Sequence, residues 1–402
     1  FGSSTSAAWI FQMLRVCRHV VGVALFCGGA LCWETDGKWL KGTQPPWKPH
    51  TGSLAVPISN GSVYLIAGQA GRHGGATFDC FNCTNEVWRF EPEEDVWANV
   101  THDVPWDPRW GHSAVVTADD TIWMFFGCCE RGKPTVMFRD IWKFNPVQGV
   151  PWTQVEAWPP FEGVQASSIA VLGDDIWVAG GWSQQRGTLS QVAVFSTKTL
   201  KWTVKSTHGE APWRHRADHG SAISPDGRWL LIYAGQHRDN KTGHWFRLDD
   251  TWRVELPAAR PSDWLQLGNL VGKRSSPALM VLPSGWLITL GGHIVDDDEQ
   301  LKVSQMDTEG MMGHHNTVPF HAYRDVLALD LKNGGSSGWR VVEEQPVWPG
   351  RDDCASAAVG DDIMIFGGGT LYGGGGYHQD TWKLQAASKA YGLSEELQKD
   401  EL

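Results

Sequence analysis

The chain has 402 residues, a formal net charge of −11 and 24 tryptophans. An acidic chain without a lysine-rich tract argues against a nucleic-acid-binding function. No proline- or serine-rich linker divides the sequence, and the tryptophans recur in similar local settings. Both features favour one large unit built from repeats over two or three separate domains.

The first predicted element is a secretory signal peptide in residues 1–32. Arg15 and Arg18 precede an apolar run that ends in small residues, which is the usual order of such a peptide. The run is shorter than the roughly 20 apolar residues of a membrane-spanning helix, so the chain is not expected to span a membrane. Met13 is the expected start, and residues 1–12 are expected to be an upstream translation artefact. Cleavage at the end of the run changes the formal charge to −13, because the removed segment holds two arginines and no acidic residue.

The last four residues match the tetrapeptide that retrieves lumenal proteins to the endoplasmic reticulum: Lys399, Asp400, Glu401 and Leu402. Together with the signal peptide, this tetrapeptide predicts a protein of the endoplasmic-reticulum lumen that binds the KDEL receptor. Four N-glycosylation sequons agree with that compartment, and we expect some of them to carry a glycan: Asn60, Asn82, Asn99 and Asn240.

Six similar segments follow one another along the rest of the chain, each marked by a tryptophan: Trp39, Trp97, Trp152, Trp202, Trp264 and Trp339. Within a unit the pattern predicts an apolar strand, an acidic or glycine turn, a second apolar strand ending in glycine, a variable loop and a third strand. The clearest copy is PRWGHSAVVTADDTIWMFFG, in which alternating apolar residues on both sides of Asp119 and Asp120 predict a hairpin.

The glycine pair after the second strand and the spaced aromatic residues in the third and fourth strands closely resemble the kelch repeat. The resemblance covers residues 34–386 and implies an all-β, six-bladed kelch-type β-propeller within residues 33–386, with a polar tail at residues 387–402. Five positions depart from the pattern, three at the second glycine and two at the third-strand tryptophan: Gln69, Cys128, Gln236, Ala193 and Leu327.

The segment around Trp39 predicts a strand that has no sheet of its own. The sixth unit has a third strand at Trp382 but no tryptophan that marks a fourth strand after it. We therefore expect the strand at Trp39 to complete the last blade and to close the ring.

With the strands of each blade labelled a to d from the axis outward, the b–c loops and the d–a connections lie on one face. Insertions on one face often mark the binding face of a repeat protein, and eight histidines are predicted in these b–c loops: His73, His237, His244, His293, His314, His315, His321 and His378.

The candidate ligand-binding residues on this face are arginines near the channel mouth and aromatic residues of the last b–c loop: Arg109, Arg214, Arg216, Arg274, Arg351, Tyr372, Tyr377 and His378. Arginines in an acidic protein suit a carboxylate ligand, and the kelch resemblance implies acidic peptides or sugars as ligands. The alternative is that these arginines bond to carbonyl groups of neighbouring blades and hold the ring together.

A metal site is one hypothesis for the fifth b–c loop, where His293, His314 and His315 accompany the acidic run Asp296–Asp298. Their spacing matches no established closed site, so neither a metal nor another cofactor is expected.

Five cysteines follow the signal peptide, and the fold resemblance places all five on one sector of the b–c face: Cys80, Cys83, Cys128, Cys129 and Cys354. In an oxidising lumen we expect a disulfide between the first pair and the second pair, with Cys354 buried and free. A redox role for Cys80 and Cys83 is disfavoured, because their CxxC motif leads into a strand and not into a helix N-terminus.

No motif selects catalysis over binding. The sequence therefore predicts a lumenal kelch protein that binds a protein or a glycan. The alternative is a sugar-active enzyme that resembles sialic-acid mutarotases and uses the same loop face. A second kelch-like enzyme class, the copper radical galactose oxidases, is disfavoured, because no cysteine and tyrosine are suitably placed for its crosslink.

Overall fold

Six antiparallel sheets of four or five strands form the body of the protein, and two N-terminal strands belong to the last of them. This computed structural model describes residues 34–36, 38–70, 83–101, 104–129, 135–295, 320–370 and 376–393. The chain divides into residues 1–32 and 33–402, and the first of these units lies outside the described part. Within the described ranges, no helix is both long and apolar enough to cross a bilayer.

The strands run in chain order from blade to blade. The N-terminus contributes β1 (Glu34–Asp36) and β2 (Trp39–Lys41). Blade 1 contains β3 (His50–Thr51), β4 (Leu54–Pro57), β5 (Val63–Ala70), β6 (Cys83–Glu91) and β7 (Val96–Asn99). Blade 2 contains β8 (Ser113–Val116), β9 (Ile122–Phe125), β10 (Cys128–Cys129), β11 (Val136–Met137), β12 (Ile141–Asn145) and β13 (Val150–Gln154). Blade 3 contains β14 (Ser168–Leu172), β15 (Asp175–Ala179), β16 (Trp182–Ser183), β17 (Gly187–Thr188), β18 (Val192–Ser196) and β19 (Lys201–Ser206).

The second half repeats this order. Blade 4 contains β20 (Gly220–Ile223), β21 (Trp229–Tyr233), β22 (Gln236–Arg238), β23 (Trp245–Arg247), β24 (Thr251–Glu255), a 3-10 turn (Pro261–Asp263) and β25 (Leu265–Gln266). Blade 5 contains β26 (Ala278–Val281), β27 (Trp286–Leu290), β28 (His293–Val295), β29 (Phe320–Ala322), β30 (Val326–Asp330) and β31 (Arg340–Glu343). Blade 6 contains β32 (Ala355–Val359), β33 (Asp362–Phe366), β34 (Gly369–Thr370), β35 (Gly376–Tyr377) and β36 (Thr381–Leu384), and the short helix α1 (Ala387–Ala390) follows.

Each blade has the a–b–c–d order that the kelch resemblance implies. In blade 3, for example, β14, β15, β18 and β19 are neighbours in that order, and β16 and β17 form a separate two-stranded ribbon in the b–c loop. The innermost strands β4, β8, β14, β20, β26 and β32 contact one another in sequence, and β32 contacts β4. The all-β, six-bladed propeller is therefore confirmed.

The second strand of each blade is buried on both faces. Strands such as β9 (Ile122–Phe125) are buried at every residue, because each sheet packs against a neighbouring blade on both sides. This packing explains why the second strands are continuous apolar runs in the sequence.

An N-terminal strand closes the ring, as predicted. β2 pairs antiparallel with β36, so that Trp39 lies opposite Leu384 and Lys41 lies opposite Trp382. β1 then pairs with β2 and adds a fifth, outer strand to blade 6.

Aromatic pairs explain much of the tryptophan content. In four blades, a tryptophan of the d–a connection packs edge-on against a tryptophan in the fourth strand or next to it, at centroid distances of 5.6 to 5.8 Å: Trp47 with Trp97, Trp106 with Trp152, Trp213 with Trp264, and Trp348 with Trp39. In blade 3, Phe161 takes the first position against Trp202. The pair of blade 6 joins the N-terminal strand to the end of the chain, so the repeat is completed across the closure.

The packed structure extends beyond the predicted propeller boundary at residue 386. Trp286 Nε1 donates a hydrogen bond to the carbonyl oxygen of Leu393 at 3.0 Å. The Tyr391 hydroxyl and Trp39 Nε1 both donate to Glu343 Oε2, at 2.8 and 3.0 Å. Residues 387–393 are therefore part of the folded propeller and not of a polar tail, because they cover apolar surface between blades 5 and 6.

Candidate functional site

A ring of backbone hydrogen bonds surrounds the axis where the six innermost strands begin. The residue two positions before each inner strand has a positive φ between 48° and 62°. These six ring residues are Gly52, Gly111, Ala166, Asp218, Ser276 and Asp353. Amide groups of this ring donate to the carbonyl oxygen of the preceding blade's ring residue, for example Ser276 to Asp218 at 2.9 Å and Gly52 to Asp353 at 2.9 Å. The ring fixes the positions of the side chains at the channel mouth.

Three carboxyl groups meet at this mouth, from blades 4 and 6. Asp218 and Asp353 are ring residues, and Asp352 precedes Asp353. Asp218 Oδ2 accepts a hydrogen bond from Gln236 Nε2 at 2.6 Å. Asp352 is 2% exposed, and its Oδ1 atom is buried without a hydrogen-bond partner in the described part of the chain.

A histidine and an arginine connect these carboxyl groups across three blades. Arg247 Nη2, from blade 4, donates to His293 Nε2, from blade 5, at 2.9 Å. His293 Nδ1 lies 2.9 Å from Asp352 Oδ2, from blade 6. A guanidinium can only donate, so the Nε2 atom of His293 accepts this hydrogen bond and carries no proton. The single ring proton of His293 is therefore on Nδ1, and the ring is uncharged.

All three carboxyl groups are harder to ionise than the carboxyl group of an exposed aspartate. Burial raises the pKa of Asp218 to about 6 and that of Asp352 to about 7, although Arg247 opposes both shifts. Burial, and then the charges of Asp352 and Asp218, raise the pKa of Asp353 well above its usual range. Clustered carboxyl groups with perturbed pKa values are a common mark of a functional site.

The structure corrects the role predicted for four of the five arginines. Arg109, Arg216, Arg274 and Arg351 are fully buried, so a ligand in solvent cannot reach them. Each makes two hydrogen bonds, 2.7 to 2.9 Å long, to the carboxylate that precedes the third strand of its own blade: Asp140, Asp250, Asp325 and Asp380. Each also donates to a backbone carbonyl after the second strand: Phe126, Ala234, Gly291 and Gly367. These arginines hold the d–a connection to the blade, so their role is structural, but the carbonyl groups belong to the arginine's own blade and not to a neighbouring blade as the alternative prediction had it.

The remaining predicted ligand-binding residues have different surroundings. Arg214 is exposed, with its guanidinium carbon 5.9 Å from the centroid of the Phe246 ring. Tyr377 is buried and His378 is half-buried in the b–c ribbon of blade 6. Tyr372 and His73 lie outside the described residues.

No three histidine, cysteine, aspartate or glutamate side chains converge as metal ligands in the described ranges. Of the weak metal candidates, His293 is engaged by Arg247 and Asp352, as described above. His314, His315 and the run Asp296–Asp298 lie outside the described residues.

The cysteines of blades 1 and 2 lie close together. Cys83 Sγ is 3.9 Å from the carbonyl oxygen of Cys128, across the boundary between the two blades. Cys80 lies outside the described residues, so the inter-blade disulfide stays a prediction. Cys354 is buried, as predicted, and forms no disulfide with another described cysteine. Burial raises the pKa of its thiol to about 12.

Sequence reasoning missed the three carboxyl groups of the mouth. An alignment of the six positions before the inner strands would have shown Asp218 and Asp353 where other units carry glycine, alanine or serine. It would not have shown Asp352 beside His293, because that contact depends on how blades 5 and 6 are placed.

The closed ring, the glycine turns after the second strands and the ribbons on one face define a kelch-type β-propeller. The chain belongs to the Attractin/LZTR1 β-propeller family, whose profile matches residues 72–315.

Individual relatives are more distant. The chain is 27% identical over 219 residues to "Rab9 effector protein with kelch motifs" of Gallus gallus, which covers 51% of this chain and 53% of that protein. It is 25% identical over 270 residues to "Kelch domain-containing protein 3" of Mus musculus, covering 65% of this chain and 61% of that protein. The chain thus spans about half the length of the Rab9 effector relative. A solved structure titled "Structure of YjhT" is similar in fold, with a TM-score of 0.61 and 17% identity, over 84% of this chain and 95% of that one.

Proposed function

We propose that the protein is a protein-binding propeller of the endoplasmic-reticulum lumen, and that its channel mouth accepts a cationic side chain of the partner. The observation that carries the proposal is that three carboxyl groups meet at the mouth, two of which, Asp218 and Asp353, are only half-buried. An ammonium or guanidinium group beside Asp218 and Asp353 would favour the ionisation of carboxyl groups that burial makes difficult to ionise. The relatives named as kelch-motif effector proteins support a binding role.

The lumenal address is supported by the sequences of residues 13–32 and 399–402, both outside the described ranges. The exposure of Asn60, Asn99 and Asn240 adds support, because a glycan needs an accessible asparagine.

The experiment is a binding assay on immobilised peptides that differ at one residue, which is lysine, arginine, glutamine or glutamate. Lysine or arginine peptides are expected to bind, and Asp218→Asn and Asp353→Asn are expected to weaken that binding at least tenfold. The matched control is Asp174→Asn, at an exposed turn of blade 3 on the opposite face. Equal binding of lysine and glutamate peptides, or equal loss in the control, would refute the proposal.

A sugar-active enzyme is the second candidate, and the pKa values of about 6 and 7 at Asp218 and Asp352 favour it. A carboxyl group that titrates near neutral pH is suited to general acid–base catalysis such as sugar ring opening. Exchange of sialic-acid anomers, followed by NMR, would be accelerated by the wild-type protein and not by Asp352→Asn. Unchanged exchange rates would exclude this candidate for that sugar.

A further inference from the structure

Three histidines form a cluster between blades 3 and 4 on the same face. The ring centroids of His208 and His215 are 4.3 Å apart, and those of His215 and His237 are 6.0 Å apart. His208 and His215 belong to the connection between β19 and β20, and His237 lies in β22. All three are half-buried.

The ribbon strand β22 separates this cluster from the carboxyl groups of the mouth. Gln236 and His237 are adjacent in the strand, so their side chains point to opposite sides. Gln236 bonds to Asp218 at the mouth, whereas His237 Nδ1 lies 3.2 Å from Thr188 Oγ1 of blade 3. The histidine cluster is therefore a second site and does not depend on the mouth.

The hydrogen bonds of the cluster decide which rings can take up a proton. His208 Nδ1 accepts from the amide of Ser190 at 3.3 Å, and protonation of that atom would break the bond. His237 Nδ1 donates to the carbonyl oxygen of His215 at 3.0 Å, because a carbonyl can only accept. His237 can therefore gain a proton on Nε2 without losing this contact.

The charged groups around the cluster are of both signs. Each element that packs against it contributes: Arg186 and Glu162 from blade 3, Arg214 and Arg216 from the connection, and Asp239 from the ribbon. Glu162 is paired with Arg186 at 3.4 Å, and the buried Arg216 is paired with Asp250. The exposed Arg214 has no carboxylate partner among the described residues.

At neutral pH the cluster itself is uncharged. Burial lowers the pKa of all three histidines, and the neighbouring His208 and His237 add to burial in lowering that of His215 to about 4. The rings thus have unused capacity to become cationic when a compensating charge is near.

We infer that His208, His215 and His237, together with Arg214, form a binding site for an oxyanion, either a carboxylate or a phosphate group of a ligand. The guanidinium of Arg214 holds the anion, and His215 and His237 take up protons as it binds. For each proton taken up on binding, the association constant of the anion rises by up to about tenfold when the pH falls by one unit. The site thereby makes ligand binding on this face sensitive to acidification.

The test follows the three imidazole resonances by NMR between pH 3.5 and 8.0, with sulfate or acetate as the probe. The charge of sulfate is constant over this range, so any pH dependence of its binding comes from the protein. We expect saturating sulfate to raise the pKa of His215 or His237 by about one unit, the size of shift that a close opposite charge produces. A response to sulfate alone indicates a phosphate-type ligand, and a response to acetate indicates a carboxylate.

Two variants keep the test decisive. Arg214→Gln changes an exposed side chain, so it should fold normally and reduce the response to sulfate at least fivefold. His321→Gln, an exposed histidine of β29 on the same face, should leave the response unchanged. The inference is overturned if sodium chloride at equal ionic strength produces the same shifts, or if Arg214→Gln responds as the wild type does. Neither outcome depends on the Asp218 and Asp353 variants that test the proposed function.

Discussion

The buried arginines form one repeated set of side chains. Arg109 is bonded to Asp140, and Trp142 Nε1 donates to the same carboxylate at 2.6 Å. Blades 4 and 6 repeat this set, and blade 5 has the arginine and aspartate without the tryptophan. The equivalent positions of blade 3 are all different, with Val164, Gln191 and Ala193.

Blade 3 shows how the set can be replaced. Gln191 Nε2 donates to the carbonyl oxygen of Gly180 at 2.8 Å, which corresponds to the Phe126 carbonyl that Arg109 satisfies in blade 2. In blade 3 one neutral amide thus makes the hydrogen bond to the carbonyl oxygen that a buried ion-paired arginine makes in blade 2. Replacement of only one member should leave a charge without its partner.

Arg109→Val is accordingly expected to lower the free energy of unfolding by about 3–5 kcal/mol, because Asp140 stays largely buried without its cation. The double variant Arg109→Val with Asp140→Gln copies blade 3 and should recover most of that loss. Urea unfolding measures both, with Arg214→Val as the exposed control. A double variant less stable than Arg109→Val would contradict the interpretation.

The sequence located these arginines but not their partners. Arg109 and Asp140 are 31 residues apart, and only the order of strands within a blade brings them together. The spacing of the arginines therefore indicated an arrangement repeated in several blades but could not tell a ligand site from a structural pair.

At the scale of elements, the closing strand is the feature that the sequence predicted best. A single strand-like segment precedes the first complete unit and has no sheet of its own, and the last unit has no fourth strand of its own. The contacts with Glu343, made by Trp39 and Tyr391, could not be predicted, because they depend on how residues 387–393 fold back onto blade 5.

Trp39→Ala should destabilise the propeller strongly. The side chain is fully buried, packs edge-on against Trp348 and donates to Glu343, so its loss should cost about 3–5 kcal/mol. The matched control is Trp158→Ala, because Trp158 is 56% exposed and its loss should change stability by no more than about 0.5 kcal/mol. Thermal or urea unfolding compares the two, and equal effects would show that the closing strand contributes nothing special.

For the whole molecule, the two sites give the b–c face an uneven charge. The mouth offers carboxyl groups and the cluster beside it offers a guanidinium and three imidazoles, on opposite sides of β22. A ligand that carries both a cationic and an anionic group would engage both sites at once. Acidification would then weaken the contact at the mouth, as Asp218 and Asp352 take up protons, and strengthen the contact at the histidines.

The proposed lumenal address can be tested by expression in a eukaryotic cell with Met13 first and Leu402 last. We expect the protein to stay in the cells and Leu402→Ser to release it into the medium, while Lys389→Ala, a change at an exposed residue outside the tetrapeptide, is retained. Secretion of the unchanged protein would contradict the predicted retrieval.

Glycans on the retained protein report entry into the lumen and depend on the local structure of each sequon. Asn60 Oδ1 accepts a hydrogen bond from the backbone amide of Ser62 at 3.0 Å, and Asn99 Oδ1 accepts one from the backbone amide of Thr101 at 2.9 Å. In the described ranges, the side-chain Nδ2 atoms of Asn60 and Asn99 make no hydrogen bond. Asn240 differs, because its Nδ2 donates to the carbonyl oxygen of Arg186 at 3.0 Å, and a glycan on that atom would break the bond. We therefore expect glycans on Asn60 and Asn99 in most molecules and on Asn240 in fewer. Site-by-site mass spectrometry after digestion with endoglycosidase H measures the occupancy of each asparagine. Full occupancy of Asn240 would show that this hydrogen bond does not limit modification, and an absence of glycans at all three sites would argue against lumenal entry.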